Sequence, residues 1–339
     1  MTQNNQWILR ERPQGALDAR HLELRRVERP LPADGEVLVR NLYVLVPPAM
    51  RLWMNAQDSY VPAQPLGQTM MGITLGIVEA SNDPALPVGT HVNGMGGCQE
   101  WFTAPAAQLM ALAPHPEVPL AAYRSVLDVQ GLTAWAGLHE VCRPQPGQTL
   151  VVTAAAGSVG SLVCQLGAQM GLHVVGIAGG ADKCRWLRDD CGIAATIDYK
   201  ADDVGARLDA LCPRGIDRVF ENVGGPVLDL LLERINDGAR IALCGMVASY
   251  NGGGTQSAHA LMRLVTKAAR MEGFLVRDHF HRYAEVAAKL QALVLEGRLK
   301  YRIDILDGLE RLPGALDRLF HGRNLGAQLL RLAPQERAA

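Results

Sequence analysis

The segment 149–160, TLVVTAAAGSVG, constrains the fold of this chain more than any other stretch. A β-branched apolar run passes through three alanines into Gly157-Ser158-Val159-Gly160, and a stretch of helical composition follows at 161–170. This order predicts a strand, a tight turn and a helix. Small residues in such a turn let the main chain approach a pyrophosphate, and the helix N-terminus adds N–H groups and partial positive charge. These residues alone leave two interpretations open, a dinucleotide-binding turn and a tight turn without a ligand.

The rest of the chain places this turn in an alternating pattern. From residue 131 onward, apolar strand segments alternate with helical segments, which is typical of a doubly wound parallel sheet. Residues 7–110 instead hold short apolar runs between Pro, Gly and Asp turn signals, which favours a compact β-rich domain. We expect the segment 306–332, outside the alternating part, to return to that domain. The predicted fold class is α/β, with six parallel strands at 150–153, 173–178, a segment ending at 200, 216–223, 239–245 and 271–276.

Composition and charge limit the functions open to the chain. With 339 residues, 48% of them hydrophobic and 20% charged, it can bury a large core and form two domains. A net charge of −1 and a pI near 6.8 give no general attraction to nucleic acid or an anionic membrane, so any anion site is local. The seven cysteines form no C-x-x-C pair and the chain starts with the polar MTQNNQ. We therefore expect free thiols and a reducing cytoplasm rather than secretion.

The end of the second predicted strand bears on which dinucleotide fits. A Rossmann protein that prefers NAD usually has Asp or Glu there, against the ribose 2′-hydroxyl. Here the strand ends in Ala-Gly-Gly at 178–180, and the nearby charges include Lys183 and Arg185. A missing carboxylate removes the repulsion of a 2′-phosphate, and a lysine forms a charge-assisted hydrogen bond with it. This favours NADPH; the alternative is that both cations are solvated residues of a first helical turn, where Asp182 can pair with either.

An ordered series of short motifs runs along the chain. Each motif is weak alone, but their order is specific: Asn41-Leu42-Tyr43, Gly131-Leu132-Thr133-Ala134, Gly157-Ser158-Val159-Gly160, Ile197-Asp198-Tyr199-Lys200, Glu221-Asn222-Val223-Gly224-Gly225, Met271-Glu272-Gly273-Phe274 and Gly322-Arg323-Asn324-Leu325-Gly326. Over nearly its whole length the chain resembles the zinc-independent medium-chain dehydrogenases/reductases of the prostaglandin reductase, leukotriene 12-hydroxydehydrogenase and alkenal (curcumin-type) reductase family.

The resemblance implies a domain organisation, a cofactor and a reaction. It implies a GroES-like β-rich substrate domain at 1–128 and 305–339, and a Rossmann NADPH-binding domain at 129–304. The implied reaction is reduction of the C=C bond of an α,β-unsaturated ketone or aldehyde, by hydride transfer from NADPH to the β-carbon. A homodimer is implied as well. No metal is expected, because the zinc-dependent relatives use a cysteine and a Gly-His-Glu segment in the first domain plus a four-cysteine lobe, whereas Cys98 is the only cysteine among residues 1–141.

The resemblance also assigns roles to particular residues. Lys183 and Tyr199 match residues that hold the 2′-phosphate, and Asn324 matches an asparagine near the nicotinamide end. Tyr250 matches the tyrosine closest to the reacting carbonyl, and we predict it as the catalytic residue. The donor that stabilises the charge developing on that oxygen is a tyrosine hydroxyl or the ribose hydroxyl of the cofactor, and the α-carbon then takes its proton from water or from Tyr250. The predicted cofactor-binding set is Ala156, Gly157, Ser158, Val159, Gly160, Gly179, Lys183, Tyr199, Asn222, Cys244, Tyr250 and Asn324.

The substrate side departs from the family pattern. Where relatives commonly read Asp-Pro-Tyr-Met-Arg, this chain has Pro-Pro-Ala-Met-Arg at 47–51, so a methyl group replaces an aromatic wall. Met-Met-Gly at 70–72 replaces Met-Arg-Gly, which removes a cation. These changes suggest a larger or different acceptor. The predicted substrate pocket consists of Tyr43, Pro47, Ala49, Met50 and Met71.

Three alternatives stay open. The residues after the strand that contains Tyr43 could form a structural bend rather than a pocket wall. The enzyme could be a quinone oxidoreductase of the neighbouring branch. The protein could also bind NADPH without catalysing a reaction.

Overall fold

The chain folds into two compact units. The structure is a computed structural model that describes residues 3–18, 20–252 and 258–332, with the backbone alone at 258 and 259. One unit comprises Met1–Arg124 with Ile303–Ala339, and the other comprises Ser125–Arg302. Within the described residues, no helix combines the length and apolar character needed to cross a membrane.

The first unit is built mainly from strands, as the turn-rich sequence predicts. Residues 3 to 112 form β1 (Gln3–Leu9), β2 (Leu22–Glu28), β3 (Glu36–Leu45), the short helix α1 (Met50–Trp53), β4 (Ile73–Ser81), β5 (His91–Gly94), β6 (Trp101–Pro105) and β7 (Met110–Leu112). β1 and β2 pair antiparallel in a sheet of their own. β3, the longest strand, pairs with both β4 and β6 and so lies at the centre of the larger sheet.

The second unit alternates strands and helices. Its elements are α2 (Val129–Ala136), β8 (Thr149–Val152), α3 (Ser158–Gln169), β9 (His173–Ala178), α4 (Ala181–Asp189), β10 (Ala195–Asp198), α5 (Val204–Leu211), β11 (Ile216–Glu221), α6 (Gly225–Leu232), β12 (Ile235–Leu243), α7 (Ala258–Thr266), β13 (Arg270–Gly273) and α8 (Tyr283–Leu295). The strands form one six-stranded sheet in the order β10-β9-β8-β11-β12-β13, and every pair is parallel. The predicted six-stranded parallel sheet is confirmed.

The strands of this sheet are apolar because they are buried. All four residues of β8 are buried, and Val151, Val175 and Val219 from three neighbouring strands have no exposed surface. Strands covered on both faces read as continuous apolar runs, which is why the sequence pattern identified them.

One strand begins earlier than the sequence predicts. β12 begins at Ile235 rather than near 239, because Ile235 already pairs with Ile216 of β11.

A π-helical turn at Gly137–Cys142 follows α2 directly. A Cβ on Gly137 would lie 2.5 Å from the ring carbon Cε2 of Phe220, so glycine lets this turn approach the sheet closely.

The tail adds strands to the sheet of the first unit. It forms β14 (Ile303–Asp307), α9 (Leu312–Phe320) and β15 (Ala327–Arg331). β15 pairs antiparallel with β3, with Leu329 opposite Leu45, and β14 pairs parallel with β15. The sheet order is β14-β15-β3-β4-β5-β7, with β6 also on β3.

Candidate cofactor and active site

The strand order of the six-stranded sheet reverses at one point. From β8 the chain continues outward through β9 and β10, whereas β11 lies on the other side of β8 and leads to β12 and β13. In open parallel sheets, ligands bind outside the carboxyl ends of the strands at such a point. The residues that follow β8 and β11, at 153–157 and 222–224, therefore define the candidate site.

The turn after β8 requires glycine where its main chain comes close to helix α3. A Cβ on Gly160 would lie 2.4 Å from the carbonyl oxygen of Ala154, and a Cβ on Gly157 would lie 3.0 Å from it. The N–H of Gly157 donates to the same oxygen at 2.8 Å. Gly157 is also the N-cap of α3, and because it has no side chain, nothing caps the helix from that position. The first-turn N–H groups and the helix dipole therefore form an end suited to an anion.

A buried carboxyl joins this turn to the turn after β11. Oε1 of Glu221 accepts hydrogen bonds from Thr153 Oγ1 at 2.9 Å, from Val223 N at 2.5 Å and from Gly224 N at 2.7 Å. Asn222 completes the connection, since its N–H donates to Thr153 Oγ1 and its Nδ2 donates to the Thr153 carbonyl oxygen, both at 2.8 Å. Glu221 has no exposed surface. The two turns at the switch point are therefore held as one piece.

The loop after β12 packs on the same turns. The N–H groups of Cys244 and Gly245 donate to the main-chain oxygen of Glu221 at 2.9 and 3.1 Å. Tyr250 folds back over this loop, where its Oη accepts a hydrogen bond from Met246 N at 3.3 Å. The structure thus brings Asn222, Cys244 and Tyr250, three predicted site residues, to one end of the sheet.

Burial controls the ionisation of the two titratable groups on this loop. Burial raises the pKa of Tyr250, while the hydrogen bond from Met246 acts in the opposite direction and Cys244 adds a small rise. The half-buried Cys244 has its pKa raised to about 12, mainly by burial and further by the nearby Glu221. At neutral pH both groups carry their protons, so the Tyr250 hydroxyl is available as a donor.

The carboxyl ends of the paired strands β9 and β10 form a second part of the candidate site. The ring of Tyr199 lies against Gly179, and the N–H of Tyr199 donates to the carbonyl oxygen of Ala178 at 3.0 Å. The carboxylate of Asp198 accepts from the N–H of Gly180 at 2.7 Å and from that of Lys200 at 3.0 Å. This acid belongs to β10 and holds the main chain of Gly180 and Lys200. The end of β9 itself carries no acidic residue.

The charged residues at the start of α4 have distinct roles. Asp182 pairs with Arg185 at 2.9 Å, and both side chains are largely exposed. Lys183 is half-buried in the first turn, where its N–H donates to the carbonyl oxygen of Gly180 at 3.1 Å. Asp182 could pair with either Lys183 or Arg185 on the basis of sequence, and in the structure it pairs with Arg185.

The predicted substrate-pocket residues lie in the first unit at different depths. Met50 is completely buried in its core, while Ala49 and Met71 are half-buried and pack against that core. Pro47 is also half-buried. Tyr43 is buried on β3, and burial raises the pKa of its hydroxyl. The assignment of these five residues to a pocket stays a prediction.

Asn324 also belongs to the first unit. It lies in the segment between α9 and β15, half-buried, and its Nδ2 donates to the carbonyl oxygen of Gly326 at 3.0 Å. This local bond shapes the turn that leads into β15. Its predicted place near the nicotinamide end stays a prediction.

Sequence analysis did not assign Thr153 and Glu221 to the site. The sequence pattern places Thr153 in a strand and Glu221 in the motif Glu221-Asn222-Val223-Gly224-Gly225, and it marks neither as a site residue. The available signal was a charged residue at the end of the apolar strand that becomes β11, since such residues are rarely buried without a specific role.

Two family models match this chain, one in each of the two units. Residues 5–112 match a family model described as the N-terminal domain of oxidoreductase, and residues 158–292 match one described as zinc-binding dehydrogenase. Despite the second description, the part of the chain that the structure describes contains no group of three or more His, Cys, Asp or Glu residues that could hold a metal ion.

Individual relatives match the chain from end to end. An NADPH-dependent curcumin reductase of Escherichia coli is 37% identical over 336 residues, which cover 97% of each chain. A 2-alkenal reductase (NADP(+)-dependent) of Nicotiana tabacum is 38% identical over 332 residues, covering 96% of this chain and 97% of the relative. The crystal structure of CurA from Vibrio vulnificus in complex with NADPH superposes with a TM-score of 0.92 at 37% identity, covering 97% of this chain and 99% of that one.

Proposed function

Since this chain belongs to the zinc-independent medium-chain dehydrogenases/reductases, we propose that it uses NADPH to reduce the C=C bond of α,β-unsaturated ketones or aldehydes. The observation that carries the proposal is the full-length similarity to a curcumin reductase and a 2-alkenal reductase that depend on NADPH or NADP. The geometry of the second unit supports it, because the turn after β8 and the bare end of β9 suit a phosphorylated dinucleotide.

The residues fit NADPH in three places. The pyrophosphate would bind at the N-terminal end of α3, where Gly157 and Gly160 keep the turn free of side chains. Lys183 and Tyr199 would hold the 2′-phosphate at the corner beside Gly179, where the end of β9 carries no acid and the Asp198 carboxylate of β10 accepts from two main-chain N–H groups. Along the remaining dinucleotide, the neighbouring candidates are Ala156, Ser158, Val159, Asn222 and Cys244.

Tyr250 is the proposed catalytic residue. When bound, NADPH supplies the hydride that adds to the β-carbon of the substrate. Negative charge then develops on the substrate carbonyl oxygen, and a positioned hydroxyl donor stabilises that charge. The Tyr250 hydroxyl accepts from Met246 N and keeps its own proton, which it can direct to the carbonyl oxygen or transfer to the α-carbon.

The altered residues of the first unit would set substrate choice. Ala49 and Met71 stand where relatives commonly have an aromatic residue and a cation, and both are half-buried on one core together with Met50. Shorter and uncharged side chains leave more apolar room. We therefore expect bulky, uncharged enones to be better substrates than short enals.

A substrate panel tests the proposed function. Purified protein with NADPH is assayed against short enals, bulky aryl enones and quinones, with product analysis and NADH as the control cofactor. Formation of the saturated ketone or aldehyde supports the proposal. Turnover of quinones alone would identify a quinone oxidoreductase, and NADPH binding without turnover of any acceptor would identify a non-catalytic binding protein.

We further propose a homodimer that forms through the edge of the six-stranded sheet. β13 is the last strand of that sheet, and α7 exposes Leu261, Met262 and Val265. An open strand edge and a helix with exposed apolar side chains are each surfaces that a second copy can cover. Light scattering at several concentrations tests this, and Val265→Asp should shift the mass toward the monomer.

The thiols support a cytoplasmic location. All seven cysteines are free, and five of them, Cys98, Cys142, Cys164, Cys184 and Cys212, are buried. A chain with this many unpaired thiols is best suited to a reducing compartment. Localisation of a tagged full-length chain in cell fractions would test the assignment.

A further inference from the structure

Glu221 is a buried carboxyl whose role the reaction does not explain. It has no exposed surface at the carboxyl end of β11, beside the point where the strand order reverses. Its Oε1 accepts three hydrogen bonds, whereas its Oε2 is buried and has no hydrogen-bond partner among the described residues. A buried polar atom without a partner is costly, so its presence calls for a functional explanation.

The partners of Oε1 come from both turns of the candidate site. Thr153 belongs to the turn after β8, while Val223 and Gly224 belong to the turn after β11. Through Thr153, the same contacts fix the main chain and side-chain amide of Asn222. Loss of the carboxyl would release both turns at once.

In the part of the chain that the structure describes, no positively charged side chain pairs with Glu221. Among the described residues it forms no ion pair, and the titratable group that faces it is Cys244 at the end of β12, with Tyr250 beyond that thiol. Its side-chain hydrogen-bond partners, Thr153, Val223 and Gly224, are uncharged. An unpaired charge in such a place is expensive, and a buried group usually takes up a proton instead. Consistent with this, burial raises the pKa of Glu221 against the pull of its hydrogen bonds.

We propose that Glu221 is a positioning residue of the cofactor site, which acts as an uncharged carboxylic acid: it joins the turns after β8 and β11 and adds no negative charge where an anionic dinucleotide binds. This inference rests on the proposed function, since it takes NADPH as the ligand. It makes the protonation of Glu221 and the binding of NADPH mutually favourable, because ionisation would place a negative charge close to the phosphates.

Three variants test whether the Glu221 side chain acts as an uncharged acid, as a charged carboxylate or only as a structural group. Glu221→Gln keeps an oxygen acceptor and cannot ionise, Glu221→Ala removes the acceptor, and Thr153→Val removes one donor. Glu296→Gln is the matched control, since Glu296 is an exposed carboxylate that pairs with Arg298 on the surface of the same unit. Circular dichroism and thermal unfolding establish that each variant is folded.

The measurement is the dissociation constant of NADPH, from titration of cofactor fluorescence at a series of pH values. We expect Glu221→Gln to bind within about threefold of the unsubstituted protein at mildly acidic pH, and Glu221→Ala to bind about tenfold more weakly or worse. Thr153→Val should fall between them. The ratio of the two dissociation constants, unsubstituted over Glu221→Gln, should rise where Glu221 ionises, while titration of the 2′-phosphate itself cancels from that ratio.

The outcomes distinguish this inference from the proposed function. If the unsubstituted protein binds NADPH and Glu221→Gln binds as weakly as Glu221→Ala, the group acts as a carboxylate and the inference is overturned, while the proposed function stands. Equal binding by folded Glu221→Ala and the unsubstituted protein would overturn it as well. Absence of NADPH binding by the unsubstituted protein would instead overturn the proposed function, and the inference with it. If Glu221→Ala does not fold, Glu221→Gln and Thr153→Val still decide the question.

Discussion

The ring of Tyr199 covers Gly179 so closely that a Cβ at position 179 would lie 2.6 Å from ring carbon Cζ and 2.7 Å from the hydroxyl oxygen. The glycine thus allows a residue at the end of β10 to lie over the end of β9. Tyr199 as a whole remains 47% exposed at the corner where the 2′-phosphate is proposed to bind. Burial of the ring's inner side raises the pKa of this hydroxyl, and Asp198 adds to the rise, so Tyr199 is a hydrogen-bond donor at neutral pH.

Gly179→Ala should weaken NADPH binding without unfolding the protein. The added methyl group would push the Tyr199 ring away, and because that ring is half exposed, it can move at little cost in stability. We expect the dissociation constant of NADPH to rise and that of NADH to change little. Gly314→Ala is the matched control, since nothing lies within 4 Å of a Cβ there. Equal weakening of NADPH and NADH would contradict the placement of Tyr199 at the 2′-phosphate.

Lys183→Ala should reduce the preference for NADPH over NADH. A lysine contact with a phosphate is a charge-assisted hydrogen bond, so its loss should weaken NADPH binding by about tenfold or more. Arg185→Ala serves as the control, because Arg185 is exposed and paired with Asp182. The assay is titration of each variant with both cofactors. A larger effect from Arg185→Ala would show that the other cation holds the phosphate.

Gly160→Ala should damage both stability and cofactor binding. The methyl group would approach the Ala154 carbonyl oxygen to 2.4 Å, and a main-chain atom cannot move aside as the end of a flexible side chain can. We expect a loss of about 1–3 kcal/mol in the free energy of unfolding, together with much weaker NADPH binding. Gly157→Ala, with a separation of 3.0 Å, should be milder. Denaturant unfolding and NADPH titration of both variants check that Gly160→Ala has the larger effect. A smaller effect of Gly160→Ala than of Gly157→Ala would refute this expectation.

Tyr250→Phe should lower kcat far more than it changes NADPH affinity. The substitution removes only the hydroxyl, and loss of one transition-state donor typically costs about 100-fold in rate. Because the pKa of Tyr250 is raised, its own ionisation should not reduce kcat below about pH 10. Steady-state kinetics from pH 6 to about 10 with a bulky enone provide the measurement. An unchanged kcat would remove Tyr250 from the proposed mechanism.

The cysteines should be unreactive in the folded protein and should destabilise it at alkaline pH. Burial raises the pKa of all seven thiols, to about 12 for Cys98, Cys142, Cys191 and Cys244 and to about 11 for Cys212, so very little thiolate exists near pH 8. In the unfolded chain, thiols ionise above about pH 8.5, and the unfolded state then binds fewer protons than the folded state. The free energy of unfolding should therefore fall as the pH rises above that value.

A thiol reagent and denaturation curves test this pair of expectations. Seven thiols should react in denaturant, and few should react within minutes in native buffer at pH 8. Rapid labelling of Cys244 or Cys191, the two half-buried thiols, would contradict the raised pKa values.

The sequence alone was sufficient for the α/β class, the six parallel strands, the glycine turn at 157–160 and the absence of an acid at 178–180. Those properties are local: periodicity, strand burial and small residues in a turn are visible in consecutive positions. Element ends were less predictable, because β12 starts where Ile235 finds Ile216 as a partner, which no local pattern reveals.

Only the tertiary structure decided which residues of the candidate site contact one another. Thr153 and Glu221 are separated by 68 positions and meet because β8 and β11 are neighbours in the sheet. The contact between Gly179 and Tyr199 depends in the same way on the pairing of β9 with β10. The complete burial of Met50 in the core of the first unit also comes from tertiary packing, since burial depends on what packs around a side chain and not on its neighbours in the chain. Local chemistry thus indicated a dinucleotide turn, and only long-range strand pairing placed the carboxyl of Glu221 between the two turns that form the site.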